Sequence, residues 1–160
     1  MKNKIVMNLQ LFAGSKSGVY PCYENQFQID TAASGGTASL KNIADCVTFS
    51  VSFDNGVEEW NPFDTEGWTR RLMTSKSITI SVTAKRNVGD AGNDFVAGLA
   101  WKNGRNAEAD TQWTFPDGTK VLFPKSVINV TNIGAGDSTN VAPLEFDVMS
   151  NGKPTVTPAV

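Results

Sequence analysis

Cys46-Val47-Thr48-Phe49-Ser50-Val51-Ser52-Phe53 alternates polar and apolar side chains without a break. Successive side chains of an extended chain point to opposite faces, so this stretch is a strand with a Val/Phe face and a Thr/Ser face. The same pattern returns at Ile78, Ile80, Val82 and Ala84, which alternate with Thr79, Ser81, Thr83 and Lys85. Between the two, Asp54-Asn55-Gly56 carries turn chemistry, since an Asn-Gly pair tolerates positive φ. The spacing predicts a turn there, with Val57-Glu58-Glu59-Trp60 starting back as a strand and breaking at Asn61-Pro62.

Strand signals continue on both sides. Upstream, residues 20–29 predict a short strand with Tyr23, Phe27 and Ile29 as its apolar side chains and Pro21 favouring an edge position. The run Ala32-Ala33-Ser34-Gly35-Gly36-Thr37 is loop chemistry. Downstream, Thr111, Trp113 and Phe115 lead through Pro116-Asp117-Gly118 into Val121 and Phe123, a hairpin with a type I or II turn. Val127, Ile128, Val130 and Ile133 add strand content. Leu144, Phe146 and Val148 alternate with Glu145 and Asp147, and a last short strand covers Thr155-Val156-Thr157. One helix is expected over 95–101, capped by Asn93-Asp94 and stopped by Asn103-Gly104.

About seven strands and one helix, with no repeat, define a mainly β chain. The expected architecture is an antiparallel β-sandwich or barrel with one short α-helix packed on its flank. Residues 1–19 end in Gly14-Ser15-Lys16-Ser17-Gly18 and then Val19, and read as a flexible N-terminal arm; 20–160 form a single domain. Residues 61–75 read as a long loop, yet Trp60, Phe63 and Trp68 fall in or beside it. A polar loop has no need of three large aromatics.

Composition narrows the function classes. The chain has 160 residues, 19% of them charged, and a formal net charge of −2. Typical soluble domains are about 25% charged, so this surface is poor in charge and suits a protein covered by neighbours. The balance gives no basic face for tight nucleic-acid binding. With no histidine, the commonest general base and metal ligand are missing together. Cys22 and Cys46 form no zinc-ligand set; they read as two buried free thiols or as one disulfide. The start Met1-Lys2-Asn3-Lys4-Ile5-Val6-Met7 has the charge of a signal peptide, but Asn8 and Gln10 interrupt its apolar run. No stretch approaches the length of a membrane span.

Candidate sites resolve into bland readings. Glu58, Glu59, Asp64 and Glu66 gather four carboxylates, but neighbours on a strand face opposite ways and no calcium-loop pattern is present. Gly134-Ala135-Gly136-Asp137 lacks the lysine of a phosphate-binding loop. Arg70-Arg71 beside Trp68 would hold a phosphate or stack on a base, or make ordinary ion pairs. No catalytic residue, cofactor site or metal site emerges.

Several stretches resemble the tail tube proteins of siphophages, particularly those infecting Gram-positive hosts. Met7-Asn8-Leu9-Gln10-Leu11-Phe12-Ala13 is like the opening of many structural proteins of such phages, capsid proteins included. Val47-Thr48-Phe49-Ser50-Val51-Ser52-Phe53-Asp54, with Glu58-Glu59-Trp60-Asn61-Pro62, resembles the family's second strand and the long loop after it. Trp68-Thr69-Arg70-Arg71-Leu72-Met73-Thr74-Ser75-Lys76-Ser77-Ile78-Thr79-Ile80-Ser81-Val82 is similar to the following strand, and Asn93-Asp94-Phe95-Val96-Ala97 sits where that family has its helix.

The resemblance implies a tail-tube β-sandwich, shared with contractile tails and type VI secretion. It implies a virion protein that assembles in the host cytoplasm into stacked hexameric rings, a homo-oligomeric conduit for DNA ejection with no membrane role. The implied partners are a tape-measure protein, a tail terminator and a distal tail protein, with DNA passing through the lumen without specific binding. Trp60, Phe63, Trp68, Arg70 and Arg71 become candidates for contacts between subunits, and Thr48, Ser50, Ser52, Thr79, Ser81 and Thr83 for the lumen wall. Two alternatives stay open. One is another phage structural protein, a terminator or a decoration. The other is a secreted carbohydrate- or receptor-binding sandwich stacking sugars on Trp60, Trp68 or Trp113.

Overall fold

The computed structural model describes residues 18–32 and 37–159. The expected arm, apart from its last two residues, the 7–13 opening and most of the loop at 32–37 lie outside that range. The elements are β1 (Gln26–Asp30), β2 (Leu40–Asn42), β3 (Cys46–Trp60), β4 (Arg70–Lys85), α1 (Ala91–Leu99), β5 (Glu108–Thr114), β6 (Lys120–Asn132), β7 (Pro143–Met149) and β8 (Thr155–Thr157). They form one antiparallel sheet in the order β2-β1-β5-β6-β7-β4-β3, with β8 beside β6.

Register explains the core. Phe49 pairs with Val82, Val82 with Phe146 and Phe146 with Val130; the next row is Val51, Ile80, Val148 and Ile128. Each row crosses four strands on one face, and Ile80, Val82, Leu144, Phe146, Val148 and Ile128 are buried. The alternation read from β3, β4 and β7 therefore fixes which face is inside.

The sheet then rolls over on itself. Strands β1 and β3 are separated by β5, β6, β7 and β4 in the sheet order. Yet the rings of Phe27 and Phe49 lie 5.0 Å apart, and Trp113 is 5.8 Å from Phe49 and 4.0 Å from Phe115. This aromatic contact closes the half-barrel. Strand β6 bends to allow it at Pro124-Lys125, where Lys125 takes φ 48° and donates its N–H to Asp110 Oδ1 at 2.7 Å. Before the bend β6 pairs with β8, and after it with β7. Buried Ser126 ties the kink down, its hydroxyl 2.9 Å from Thr111 Oγ1 and 2.7 Å from Ala109 O.

The helix docks through a buried amide. Asn93 Oδ1 accepts from Arg86 Nη1 and Asn87 N, while its Nδ2 donates to Lys85 O and Ala44 O. Every polar valence of this buried side chain is used, which is why burial is tolerated. The helix begins earlier than the sequence implied: Asp90 caps it by accepting Asn93 N–H at 2.8 Å, so Asn93 and Asp94 lie inside its first turns. It also ends at Leu99, leaving Trp101 exposed on the following turn.

Other expectations need correction. The first strand starts at Gln26; Pro21 precedes a 3₁₀ turn at Cys22–Glu24 that leaves Tyr23 exposed. Strand β2 escaped the reading because three residues carry too little periodicity. Both cysteines are free, as one reading held; Cys22 is exposed rather than buried, whereas Cys46 has an exposed backbone but a thiol turned onto Ile43 O, where burial pushes its pKa up to about 11. The largest change is at Asp54-Asn55-Gly56, which does not turn. Strand β3 runs through it to Trp60, and Gly56 lies opposite Ser75 beside a register shift. A Cβ at Gly56 would make the Ser75 hydroxyl turn aside, and the glycine sits at a register shift within the paired strand rather than at a reversal. The predicted loop over 61–75 correspondingly shrinks to 61–69, because residues 70–75 belong to β4.

Two outcomes follow for stability. A Cβ on Gly92 would strike the Asn42 carbonyl oxygen, so Gly92→Ala lowers stability by about 1–3 kcal/mol in denaturant melts. A loss within error would show that α1 is not held against β2. Asp94 is held below the usual carboxylate range by its hydrogen bond to Arg86, 2.6 Å away, and by the Gly89 N–H. A depressed carboxylate stabilises above its unfolded value of about 3.9 and loses that contribution as pH falls through the lower folded value. Asp94→Asn is therefore less stable than the parent at pH 7, and the two melting curves converge in strong acid; a gap unchanged by pH overturns this.

Candidate assembly surface

Strand β4 meets β7 only from Thr79 to Lys85, with Ser150 closing the end of the ladder against Ile78. Beyond that line β3 and β4 continue alone as a two-stranded hairpin, and residues 70–77 are all exposed. At about 3.3 Å per residue, 54–60 carry it on the order of 20 Å past the body. A two-stranded ribbon is marginal in water on its own. Here it grows from a packed sheet, and its end is held by local bonds. Trp68 N donates to Thr65 O at 2.9 Å, and Thr65 Oγ1 lies 2.9 Å from Pro62 O and 2.8 Å from Trp68 O. Glu66 and Gly67, both at positive φ, reverse the chain between them.

The five residues singled out as contact candidates gather at this tip. Phe63 is fully exposed, Trp68 is 78% exposed and Trp60 42%. Val57, Leu72 and Met73 extend the apolar surface down the ribbon. The aromatics therefore do not form a small core beneath the loop, as a self-contained loop would require. Both arginines are in ion pairs: Arg71 Nε sits 2.5 Å from Glu59 Oε1 and Arg70 Nη2 3.7 Å from Asp64 Oδ2. These take up two carboxylates of the acidic cluster. Among the described residues no three His, Cys, Asp or Glu side chains come together as a metal site.

The six Ser/Thr candidates also come together, on the opposite face from the core. Register places Thr48 beside Thr83, Ser50 beside Ser81 and Ser52 beside Thr79. The same face continues across β7 and β6, which sequence reading did not connect. Ser81 Oγ donates to Asp147 Oδ1 at 2.6 Å, Asn129 Nδ2 to Asp147 Oδ2 at 3.1 Å, and Glu145 pairs with Thr83. The result is a smooth wall of small hydroxyls with a weakly acidic stripe. Trp113 is not available as a sugar platform, since it belongs to the closing aromatic cluster and its Nε1 donates to Asn25 Oδ1.

A rolled antiparallel sheet with a flanking helix and a long hairpin leaving one corner is the tail-tube fold. The structure matches a chain in the tail of an empty gene transfer agent particle refined helically with C6 symmetry: TM-score 0.69, 19% identity, covering 87% of this chain and 99% of that one. It also matches the tube-terminating cap of the anti-feeding prophage, with TM-score 0.60 and 12% identity over 94% of this chain and 100% of the other. A third match is the sheath-tube complex of an extracellular contractile injection system, at TM-score 0.56 and 12% identity over 88% and 93%. No protein-family model and no curated protein matches the sequence. At such identities the likeness establishes the fold.

Exposure of Trp68 sets a clear expectation for the isolated chain. Trp68→Ala removes no core contact, so the monomer's melting temperature shifts by less than about 4 °C. A drop of 10 °C would mean the indole packs within its own subunit.

Proposed function

We propose that the chain is a structural subunit of a virion tail tube, self-assembling into stacked hexameric rings that form a conduit for DNA. The observation that carries this is the projecting β3–β4 hairpin, with Trp60, Phe63 and Trp68 held out to solvent. Covering such side chains contributes roughly 1.5–3 kcal/mol each, and aromatics are enriched where interfaces are tightest. The fold supports the reading, and the C6 symmetry of the gene transfer agent tail supports six subunits per ring.

In this reading Trp60, Phe63, Trp68, Arg70 and Arg71 contact a neighbouring subunit. The wall of Thr48, Ser50, Ser52, Thr79, Ser81 and Thr83 lines the lumen. The hydroxyls are neutral, and Glu145 and Asp147 outnumber Lys85 on this face, so phosphate is weakly repelled and DNA slides. Strand β3, an open edge that would be an aggregation hazard in a monomer, becomes a ring contact. A tape-measure protein, a terminator and a distal tail protein complete the assembly, in a siphovirus-type tail. A terminator is the second reading, favoured by the match to a tube-terminating cap; it would form one ring and stop.

Electron microscopy of the purified protein across concentrations separates these. Hollow tubes support the tube subunit, and single six-fold rings support the terminator. Replacing 61–69 with a two-residue Asn-Gly turn leaves a folded chain that no longer stacks. Unaltered tubes from that variant would remove the tip from the inter-ring contact.

A further inference from the structure

The chain carries three Asn-Gly pairs: Asn55-Gly56, Asn103-Gly104 and Asn151-Gly152. Glycine has no side chain to hinder its own nitrogen, so that nitrogen can attack the side-chain amide of the asparagine before it. The structure restrains the three pairs very differently. Ile78 turns its backbone toward β7, where its N–H donates to Ser150 Oγ at 2.9 Å and its carbonyl accepts Ser150 N–H at 2.8 Å. Phe53–Ile78 is therefore a non-hydrogen-bonded pair of the β3–β4 ladder. Alternation through Asp54–Ser77 and Asn55–Lys76 then makes Gly56–Ser75 a hydrogen-bonded pair. Lys85, at an odd position like Ser75, likewise turns its N–H to the β3 side, onto Asp45 O at 2.9 Å. The Gly56 nitrogen is thus tied to Ser75 O inside a ladder that runs on to Trp60. Asn151-Gly152 is the opposite case. The β4–β7 edge ends at Ser150, and neither Asn151 nor Gly152 makes a hydrogen bond among the described residues. Both are exposed, and Gly152 takes φ 99°. Asn103-Gly104 is exposed too, but Asn103 O accepts Asn106 N–H at 3.3 Å across the 3₁₀ turn at Gly104–Ala107, which restrains it.

We propose that Asn151 is the site at which this chain modifies itself spontaneously, and that the β3–β4 ladder shields Asn55 from the same reaction. The Gly152 nitrogen bonds to Asn151 Cγ, and its proton passes through solvent to the side-chain amide nitrogen. The Cγ–Nδ2 bond breaks and ammonia leaves. Water then opens the cyclic imide at either carbonyl, giving aspartate or isoaspartate. Ring closure needs rotation about the asparagine ψ, to bring the following nitrogen onto its own Cγ. At Asn151 no hydrogen bond opposes that rotation. At Asn55 it breaks the Gly56–Ser75 bond and pulls β3 out of register, so it proceeds only in molecules whose hairpin is locally open. The product at 151 carries a new carboxylate, and isoaspartate also adds a methylene to the main chain. Either change falls directly after Ser150, whose two bonds to Ile78 close the ladder at the foot of the hairpin. Conversion at Asn55, by contrast, reports opening of the hairpin itself. The inference stands on the fold alone and is independent of whether the chain forms tubes.

The test follows the three pairs in one sample. The full chain is incubated in mildly alkaline buffer, with and without urea, under conditions where light scattering shows no assembly. Digests are mapped by mass spectrometry for conversion of each asparagine and for isoaspartate. In the folded chain Asn151 converts at least ten-fold faster than Asn55, with Asn103 between them. In urea the pairs differ only in sequence context, and the rates converge to within about three-fold. Ser75→Pro removes an N–H from the ladder pair that holds Gly56; it raises the rate at Asn55 and leaves that at Asn151 unchanged. If Ser75→Pro fails to fold, the comparison with urea decides alone. Equal rates at Asn55 and Asn151 in the folded chain overturn the shield. Asn103 converting ahead of Asn151 overturns the choice of site. A ten-fold gap that survives in urea traces the difference to local sequence and overturns the structural account.

Discussion

The contact between Phe27 and Phe49 is the constraint from which the rest of the structure follows. An eight-stranded antiparallel sheet left flat would expose one face of apolar side chains to water. Bringing β1 over β3 turns that face inward, and the cluster of Phe27, Phe49, Trp113 and Phe115 seals the seam. The closure demands a sharp bend somewhere, and the chain supplies it at Lys125 in β6, where a left-handed residue is secured by Asp110 and buried Ser126. Because β6 bends, β7 and β8 can lie end to end along the same edge of it. The polar faces of β3, β4 and β7 are then all on the outside together.

Local alternation made most of this legible. Where strands have one wet face, as in β7 and the half of β4 that pairs with it, the period of two identifies both strand and interior, and Leu144, Phe146 and Val148 are buried as read. The hairpin at Pro116-Asp117-Gly118 was equally plain, since its turn bonds are local: Phe115 N to Thr119 O and Thr119 N to Asp117 Oδ1. What stayed hidden was decided by partners distant in sequence. Asn55-Gly56 has the chemistry of a turn, but fourteen registered pairs with β4 outweigh it and carry the strand through. The helix start was misplaced for a similar reason. Asn93 looks like a cap in isolation, but its amide is consumed by Arg86, Asn87, Lys85 and Ala44, leaving Asp90 to cap.

The site was half legible. Three large aromatics among Pro, Gly and carboxylates marked 60–68 as anomalous, and the structure leaves them exposed with no core beneath. Their place at the end of a projecting ribbon was not readable, because it depends on where β7 stops pairing with β4. The Ser/Thr wall was visible strand by strand, but its acidic extension through Asp147 and Glu145 needed the β4–β7 register.

In the proposed tube the hairpin lets fold and assembly share one design. Its two ion pairs are more than half exposed, so they contribute little to its stability. Rigidity comes instead from the ladder, which runs without a chain break from the packed rows of Phe49 and Val51 out to Trp60. The tip needs to order few residues on meeting a partner, because Thr65, Glu66 and Gly67 already fix its turn. Ordering costs oppose every association, so a preorganised knob converts more of its buried aromatic area into affinity. An unstructured loop of the same composition would spend that gain on its own immobilisation. Extending a core hairpin, rather than appending a loop, is thus what lets a small body of low charge hold a preorganised apolar surface far from its own centre.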